Sequence, residues 1–450
     1  MNKNFPANQL IRDLSKQKDL DLFCSLNDRE RFSKDFYDYS PVLVDELKGC
    51  LADLVVRPHS LAAVLSVAGI SNQYKIPLTL RGSGTGNYGQ CVPLQKGIVM
   101  LMSSLKKIRS FDEETGDLTV ESGCLLRDID EYLSKKGRQL RLSPSTWRSA
   151  SIGGFVAGGS GGVGSVRWGF LRDPGHLQGL EIVTNEDSPR VLQLDANSSE
   201  ALNHSYGTNG IITALKISTA NYISWQEVVV DCPTLSVAVD LINTCTRSAI
   251  DLNLATLLED KIVKQLPNYY GDLSNGYRLL FLVSKSGVQT IKNLANKSNS
   301  VFKYFGCEDV KSGTLMREIT WNHTTLHMRS KNSEWTYLQM LLPQPELGAI
   351  ESLSQKWGSD LLWHLEAVRQ QGVQRLAALP LIKWKGYKQL QALINDAKEH
   401  GAIIFNPHVV TVEDGGLGVI DGDQVKAKSI YDPNGLLNPG KLKGWILRED

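Results

Sequence analysis

From Asp53 onward, short apolar runs that are typical of strands alternate with segments whose apolar residues recur at helical spacing. The runs "DLVVRP" and "IPLTL" are short and apolar and predict strands, the first ended by Pro58. Between them, "SLAAVLSVAGISNQYK" repeats its apolar residues at helical spacing behind Ser60, a residue type that caps helix N-termini. A strand, a helix and a second strand are therefore expected in this region.

The same patterning continues to about residue 222 and then changes character. "GIVMLM" and the two halves of "KKIRSFDEETGDLTVESG" predict strands, and "LLRDIDEYLSKKG" predicts a helix that ends at Gly137. "GLEIVTNEDSPRVLQLD" predicts a hairpin. From 225 to 400, the strand-like runs "QEVVVD", "YRLLFLVS" and "TYLQMLL" alternate with helical ones such as "LSVAVDLINTC". This second region is expected to form a separate α+β domain.

The bulk composition excludes several function classes. Lys and Arg total 49 against 48 Asp and Glu, and the net charge of +1 gives no general attraction to nucleic acid or to an anionic membrane. The seven cysteines include no C-x-x-C pair, so we expect reduced thiols rather than a disulfide framework, an iron–sulfur site or a zinc site. No apolar run approaches the ~18 residues of a membrane span. The sequence thus predicts a soluble cytoplasmic protein without a nucleic-acid partner and without a membrane span.

The stretch "LRGSGTGNYGQ", residues 80–90, carries four glycines. It is not a Walker-type loop, because no lysine follows at the required position, and Pro93 follows where a Rossmann fingerprint would start its helix. A tight connection between strands that needs positive φ would also use such glycines. A second glycine-rich stretch, from Gly153 to Gly169, favours another interpretation. In this interpretation, the two glycine-rich segments together bring bare backbone N–H groups to one extended ligand.

Five segments occur in an order that resembles the FAD-linked oxidases and dehydrogenases related to vanillyl-alcohol oxidase and p-cresol methylhydroxylase (PCMH). They are "VVRPHSLAAV", "LRGSGTGNYGQ", "LSPSTWRSASIGGFVAGGSGGVGSVRWGFLRDPGHLQGLEIV", "YGTNGIITALKI" and "DPNGLLNPGK". The resemblance covers about residues 40 to 222 and 400 to 445, and the overall build is similar to that of glycolate and D-lactate dehydrogenases. It implies FAD as the cofactor.

The resemblance implies an α+β fold. A PCMH-type FAD-binding domain of two α/β subdomains would be joined to an α+β cap domain with an antiparallel sheet. The expected division is an N-terminal helical extension over 1–46, the FAD-binding domain over 47–222, the cap or substrate domain over 223–400, and a C-terminal segment over 401–450 that returns to the FAD-binding domain.

Carried over residue by residue, the resemblance implies a set of positions that contact FAD. These are Arg81, Gly82, Ser83, Gly84, Thr85, Gly86, Pro144, Ser145, Ser151, Gly153, Gly154, Gly207, Gly210, Ile212, Asn438 and Lys441. Many members tether FAD through a histidine at the position of Thr85. A threonine hydroxyl is a poor nucleophile without an adjacent base, so we expect FAD to be held non-covalently.

The catalytic positions of the family are changed in this chain. Glycolate and D-lactate dehydrogenases carry H-x-G-D-G-N-x-H followed by E-H-G, whereas the counterparts here are "LLWHLEAVRQQG" and "TVEDGGLG". One histidine and one carboxylate remain, His364 and Glu413, and no metal site is expected. His408 is a third catalytic candidate, because a neutral imidazole beside the flavin can accept a hydroxyl proton. His323 and His327 in "WNHTTLH" are four residues apart and are expected on a helix surface or in a core rather than at a metal.

The predicted function is FAD-dependent oxidation of a small hydroxy acid, of the glycolate or D-lactate kind, by hydride transfer to FAD. Because the chain has no cysteine pair or haem-attachment motif, the electrons are expected to pass to an external acceptor, with an iron–sulfur subunit as one option. A dehydrogenase is therefore predicted rather than an oxidase. Two alternatives stay open: a flavin-binding subunit of a larger redox assembly without turnover of its own, and an oxidase that acts on a sugar or alcohol with oxygen.

Overall fold

The computed structural model describes residues 7–267, 270–273, 276–308 and 313–448. Residues 1–6 and 449–450, which belong to the predicted N- and C-terminal segments, lie outside the described residues.

The first part of the chain builds a four-stranded sheet in the order β1-β2-β4-β3. Its elements are α1 (Ala7–Ser15), β1 (Leu20–Phe23), α2 (Leu26–Phe32), α3 (Pro41–Glu46), β2 (Leu54–Pro58), α4 (Leu61–Tyr74), β3 (Leu78–Arg81) and β4 (Ile98–Leu101). The predicted β2–α4–β3 arrangement is confirmed, and Ser60 Oγ accepts from Ala63 N at 3.2 Å at the start of α4. β1 pairs antiparallel with β2, so the predicted N-terminal extension is not helical throughout.

A second sheet of five antiparallel strands follows in the order β5-β6-β10-β8-β9. Its region contains β5 (Ile108–Phe111), β6 (Asp117–Glu121), α5 (Leu126–Ser134), β7 (Arg138–Gln139), α6 (Ile152–Gly158), α7 (Ser165–Trp168), β8 (Leu177–Val183), β9 (Val191–Asp195), α8 (Ala196–Ser199), β10 (Ile211–Ser218) and β11 (Ala220–Asn221). The predicted hairpin is β8 and β9. The second glycine-rich stretch is not bare extended backbone throughout, because it contains α6 and α7.

The region after Asn221 builds an eight-stranded antiparallel sheet in the order β15-β12-β14-β13-β19-β20-β17-β22. Its elements are β12 (Gln226–Cys232), α9 (Leu235–Arg247), β13 (Leu252–Glu259), α10 (Asp260–Val263), β14 (Tyr277–Val283), α11 (Val288–Lys297), β15 (Val301–Cys307), α12 (Asn322–Lys331), β16 (Trp335–Tyr337), β17 (Gln339–Leu341), α13 (Glu346–Trp357), β18 (Leu361–Leu362), β19 (His364–Gln370), β20 (Val373–Ala378), β21 (Leu381–Lys383), α14 (Tyr387–Glu399) and β22 (Ile403–Phe405). This is the α+β fold with an antiparallel sheet that the resemblance implied.

The run "TYLQMLL" differs from the single strand that its pattern predicts. β16 pairs with β21 in a three-stranded sheet, whereas β17 pairs with β20 and β22 in the eight-stranded sheet. Leu338 lies between the two strands, and its N–H donates to Pro380 O at 3.2 Å. An apolar pattern predicts that a strand is buried, but it does not indicate the sheet to which the strand belongs.

The last fifty residues return to the first sheet. They contain α15 (Val412–Gly415), α16 (Gly422–Tyr431) and α17 (Lys443–Ile446). Leu437 forms a parallel bridge with Leu78 of β3, and it is fully buried in the core beneath the four-stranded sheet. The domain boundaries themselves stay predictions. None of the helices in the described ranges combines the length and the apolar character that a membrane span needs.

Candidate active site

A cavity of about 250 Å³ lies where both glycine-rich segments meet the start of α12. The predicted cofactor positions that line it are Gly82, Ser83, Gly84, Thr85, Gly86, Pro144, Ser145, Ser151, Gly153, Gly154, Gly207, Gly210 and Ile212. We call the cavity-lining residues between 80 and 212 the glycine wall. The fold therefore brings together loops that are about 70 residues apart in the sequence.

Several glycines of this wall have no room for a side chain. Gly84 has φ +71°, and a Cβ there would collide with the guanidinium of Arg81. A Cβ on Gly82 would collide with Ser151 Oγ, and one on Gly153 would lie 2.5 Å from Ser122 Cβ. The glycines thus allow the two loops to pack against each other and leave their backbone at the cavity surface.

Arg81 does not line the cavity but anchors the loop from behind. Its Nη1 donates to the carbonyl oxygens of Phe32 at 3.4 Å and Lys34 at 2.5 Å and to Cys91 Sγ at 3.1 Å. Arg81 is 8 % exposed, so these bonds replace its hydration. The predicted contact of Arg81 with the cofactor therefore stays a prediction, while its contacts with the N-terminal segment are direct.

Three hydroxyl groups of the glycine wall are buried without a hydrogen-bond partner among the described residues. They are Ser122 Oγ, Ser151 Oγ and Tyr206 Oη. A buried unpaired hydroxyl costs about 1–3 kcal/mol, so native proteins pair such groups with ligand or water. FAD offers diphosphate oxygens and ring acceptors, and the bare backbone and these hydroxyls fit it. The resemblance implied Ser151 but neither Ser122 nor Tyr206, although Tyr206 is the first residue of the segment "YGTNGIITALKI".

The N-terminal segment contributes a further part of the lining, which the sequence did not indicate. Asp35, Phe36 and Tyr39 line the cavity, and Phe36 N donates to Gly86 O at 2.8 Å. Burial raises the pKa of Asp35 to about 6, although Lys441 and Arg81 oppose this rise. The segment is polar and has no motif, so its position could be found only from the folded chain.

Another part of the cavity lining, which we call the helix wall, consists of Trp321, Asn322, His323, Leu326 and Gln339. The two histidines of "WNHTTLH", His323 and His327, belong to α12. Gln339 Nε2 donates to Asn322 Oδ1 at 3.1 Å, which leaves Asn322 Nδ2 as a donor for a ligand. His323 Nδ1 lies 3.1 Å from Glu318 O and therefore donates to it. Burial, and next the neighbouring His327, lower the pKa of His323.

A buried carboxylate fixes the turn that leads into the helix wall. Glu366 Oε1 accepts from Trp321 N at 2.8 Å and from His364 Nε2 at 2.8 Å, and Oε2 accepts from Thr256 Oγ1 at 2.6 Å. Trp321 has φ +51°, a region that costs a non-glycine residue about 1–3 kcal/mol. The predicted catalytic residue His364 is fully buried in this network and does not line the cavity. It supports the turn instead.

His408 and Glu413, the other two predicted catalytic residues, also lie outside the cavity lining. His408 Nε2 donates to Tyr337 O at 2.8 Å, and its Nδ1 accepts from Ser40 Oγ at 2.7 Å. Burial lowers the pKa of His408 to about 4. The Glu413 carboxylate accepts from the N–H groups of Lys443 at 2.8 Å and Gly444 at 2.7 Å at the start of α17. Their polar atoms are thus committed to packing, which the proximity of "FNPHVVTVEDGG" to the returning C-terminus did not reveal.

Asn438 and Lys441 support the first glycine loop without lining the cavity. Asn438 Nδ2 donates to Gln90 O at 2.8 Å and Tyr206 O at 2.7 Å. Lys441 Nζ donates to Gly89 O at 2.5 Å, and burial lowers the pKa of Lys441 to about 8. Among the residues the structure describes, no group of three or more His, Cys, Asp or Glu is arranged to hold a metal ion.

Comparison with known families finds the FAD binding domain over residues 52–191. Among curated proteins, the chain is 31% identical over 176 residues to a probable mitochondrial D-2-hydroxyglutarate dehydrogenase of Oryza sativa subsp. indica. This alignment covers 37% of this chain and 31% of the rice protein. The match thus spans about a third of the rice relative. The chain is 25% identical over 427 residues to the mitochondrial D-lactate dehydrogenase [cytochrome] of Arabidopsis thaliana, covering 87% of this chain and 73% of that one.

Among solved structures, alkyldihydroxyacetonephosphate synthase superposes with a TM-score of 0.73 at 15% sequence identity. The superposition covers 97% of this chain and 86% of that one. At this identity the similarity establishes a shared fold, including the region after Asn221 that the family match does not cover.

Proposed function

Since residues 52–191 match the FAD binding domain, we propose that this chain is an FAD-dependent oxidoreductase that oxidises a small hydroxy acid. The observation that carries this proposal is the contrast between the two sides of the cavity. The glycine wall offers backbone and unpartnered hydroxyls, and the helix wall offers an amide and an imidazole. A redox cofactor and a small substrate need these two surfaces to face each other.

The residues of the glycine wall would hold FAD non-covalently. The N–H groups of Gly82 to Gly86 and the hydroxyls of Ser122 and Ser151 would donate to the diphosphate, and the segment from Gly207 to Ile212 would contact the remainder. Asn438, Lys441 and Arg81 would keep this loop in place, as their present contacts do. When bound, FAD supplies the hydride acceptor.

The helix wall would bind the substrate. Asn322 Nδ2 has no hydrogen-bond partner among the described residues and can donate to a carboxylate or carbonyl oxygen, while Asn322 Oδ1 accepts from Gln339. Two relatives support a hydroxy acid by their names, which specify D-2-hydroxyglutarate and D-lactate. The proposed chemistry does not use His408, Glu413 or His364, because none of the three lines the cavity in the described part of the chain.

We further propose that the electrons leave to an external acceptor rather than to oxygen. The name of the Arabidopsis relative specifies a cytochrome, which supports a one-electron acceptor outside the chain. An iron–sulfur subunit is one candidate for this acceptor. A cytoplasmic location stays a prediction.

One observation favours a second candidate function, the oxidation of an uncharged alcohol or sugar. Neither lysine nor arginine lines the cavity in the described part of the chain. A substrate carboxylate would therefore meet amide, hydroxyl and imidazole donors without a fixed cation, although arginine is the usual partner of such a group.

An anaerobic titration of the purified, FAD-loaded protein separates these functions. Glycolate, D-lactate and D-2-hydroxyglutarate are expected to bleach the visible flavin absorbance, and matched diols and sugars are expected not to. Bleaching by the neutral compounds alone would support the second candidate. A flavin that no compound reduces would support a flavin-holding subunit without turnover. If turnover is faster with dye acceptors than with oxygen, the chain is a dehydrogenase.

A further inference from the structure

Two histidines line the cavity in the described part of the chain, and they belong to different parts of its lining. His204 is part of the glycine wall, where its Nδ1 donates to Gly159 O at 3.0 Å and its ring contacts Tyr206 with the centroids 5.3 Å apart. His323 belongs to the helix wall. If the cofactor covers the glycine wall, a substrate in the remaining space meets His323 rather than His204. We infer that His323 is the catalytic residue that accepts the hydroxyl proton of the substrate, an assignment that rests on the proposed function.

The hydrogen bond to Glu318 fixes which nitrogen of His323 is available. Nδ1 carries the proton that it donates to the Glu318 carbonyl, so the neutral ring leaves Nε2 without a proton. Among the described residues, Nε2 has no hydrogen-bond partner. A base needs this combination of a fixed ring and a free lone pair.

Glu318 itself is held firmly, which keeps its carbonyl in place. Its carboxylate accepts from Arg148 Nε at 2.5 Å and from Leu315 N at 2.9 Å. One residue before α12, the Glu366 carboxylate holds Trp321 N, so the turn that presents His323 is restrained at both ends. Preorganisation of this kind keeps a base within reach of its substrate.

The proposed step balances in atoms and electrons. The substrate O–H bond breaks and its proton forms an N–H bond at Nε2, while the C–H hydrogen leaves with the bonding electron pair to FAD. The carbon–oxygen bond becomes a carbonyl, so the hydroxy acid is oxidised to a 2-oxo acid and the flavin is reduced by two electrons. The imidazolium then releases its proton to solvent.

His327 provides a matched control. It lies one turn further along α12, and its Nε2 donates to the same Glu318 carbonyl at 3.3 Å, but it does not line the cavity. The other titratable groups that line the cavity are Asp35, Tyr39, Tyr88, Cys91, His204 and Tyr206. Because the pKa of Asp35 is raised to about 6, Asp35→Asn is needed to assign any inflection in a pH profile.

The test is anaerobic stopped-flow reduction of the FAD-loaded protein by D-lactate, or by whichever hydroxy acid bleaches the wild type. His323→Asn is expected to keep its FAD and to slow bleaching by at least about a hundredfold, as the loss of a general base does. His327→Asn is expected to stay within a few fold of the wild type. The wild-type rate is expected to fall with decreasing pH, and this decline is expected to persist in Asp35→Asn and to disappear in His323→Asn.

Two results would overturn the assignment. One is His323→Asn reacting at nearly the wild-type rate; the other is a complete loss of reduction in His204→Asn but not in His323→Asn. If no hydroxy acid bleaches even the wild type, the proposed function fails separately. The ¹⁵N spectrum of the histidine side chains then still decides the geometry: a proton on Nε2 of His323 at neutral pH contradicts the inference, and a bare Nε2 supports it.

Discussion

The glycine wall and the helix wall face the same cavity but are specified by the chain in different ways. The glycine wall depends on the absence of side chains, since a Cβ at Gly82 or Gly153 would collide with the neighbouring loop. The helix wall consists of ordinary side chains whose positions depend on Glu318 and on Glu366, 43 residues after His323. The difference shows that a cofactor surface made of backbone leaves a strong sequence pattern, whereas a substrate surface made of side chains does not.

The largest effect is expected from a side chain introduced into the glycine wall. Gly84→Val places a β-branched side chain against the Arg81 guanidinium, which three hydrogen bonds hold in place. We expect complete loss of bound FAD, measured as visible absorbance per folded chain after gel filtration. Circular dichroism must show that the variant is folded.

Gly137→Val is the matched control for this substitution. Gly137 also has positive φ, at +67°, but a Cβ at this position would meet no other atom within 4 Å. The control therefore carries the backbone strain of about 1–2 kcal/mol without the collision. Equal FAD loss in both variants would mean that backbone strain, and not the shape of the wall, governs binding.

The helix wall can be loosened without touching the cofactor surface. Glu366→Gln replaces a carboxylate that accepts three hydrogen bonds by an amide with a single acceptor oxygen. We expect kcat to fall by about tenfold to a hundredfold, because a small displacement of a catalytic group has an effect of this size. FAD content is expected to stay unchanged. Thr256→Ser, which retains the hydroxyl donor to Glu366, is expected to remain near the wild-type kcat, and an equally damaged Thr256→Ser would argue against the network.

A third prediction concerns His408, which joins the N-terminal segment at Ser40 to β16 at Tyr337. Its folded pKa of about 4 lies below the unfolded value of about 6.5, so the unfolded chain binds more protons between these values. Stability from this group is present above the unfolded pKa and is lost as the pH falls towards the folded pKa.

Between pH 7 and pH 5, this linkage amounts to about 2 kcal/mol of unfolding free energy. The wild type loses unfolding free energy between pH 7 and pH 5, and His408→Asn is expected to lose about 2 kcal/mol less. Urea denaturation at both pH values measures this difference. Identical pH dependence in the two proteins would show that His408 is not neutral in the fold. The prediction also separates a packing role from a catalytic one, since flavin reduction in the variant is expected to persist.

The prediction with the smallest expected effect is that the chain carries no covalently bound FAD. Cys91 lines the cavity, but burial raises its pKa to about 11, so the thiolate that would attack the flavin is scarce. Acid denaturation is therefore expected to release all the yellow colour, and the intact mass of the chain is expected to equal that of its sequence. A peptide containing Cys91 and carrying the mass of FAD would contradict this.

The sequence predicted the strands and helices around the glycine loops because each has an uninterrupted period and its own cap or turn, as α4 has in Ser60. It also predicted most of the glycine wall, since bare backbone must be encoded locally. It did not predict Asp35 or Ser122, because an isolated polar residue carries no periodic signal, and it did not predict Tyr206, although this residue begins the segment "YGTNGIITALKI". The catalytic predictions at His408 and Glu413 relied on proximity in the sequence to the returning segment. Proximity does not reveal which way a side chain points.

The most direct test of the central claim is a crystal structure of the protein loaded with FAD and a 2-oxo acid. We expect the diphosphate oxygens within hydrogen-bond distance of the N–H groups of Gly82 to Gly86 and of the Ser122 and Ser151 hydroxyls. The 2-oxo acid is expected between the flavin ring and His323, with Nε2 directed at the oxygen that was the substrate hydroxyl. A flavin bound elsewhere, or a 2-oxo acid on the side of the ring away from His323, would contradict the account.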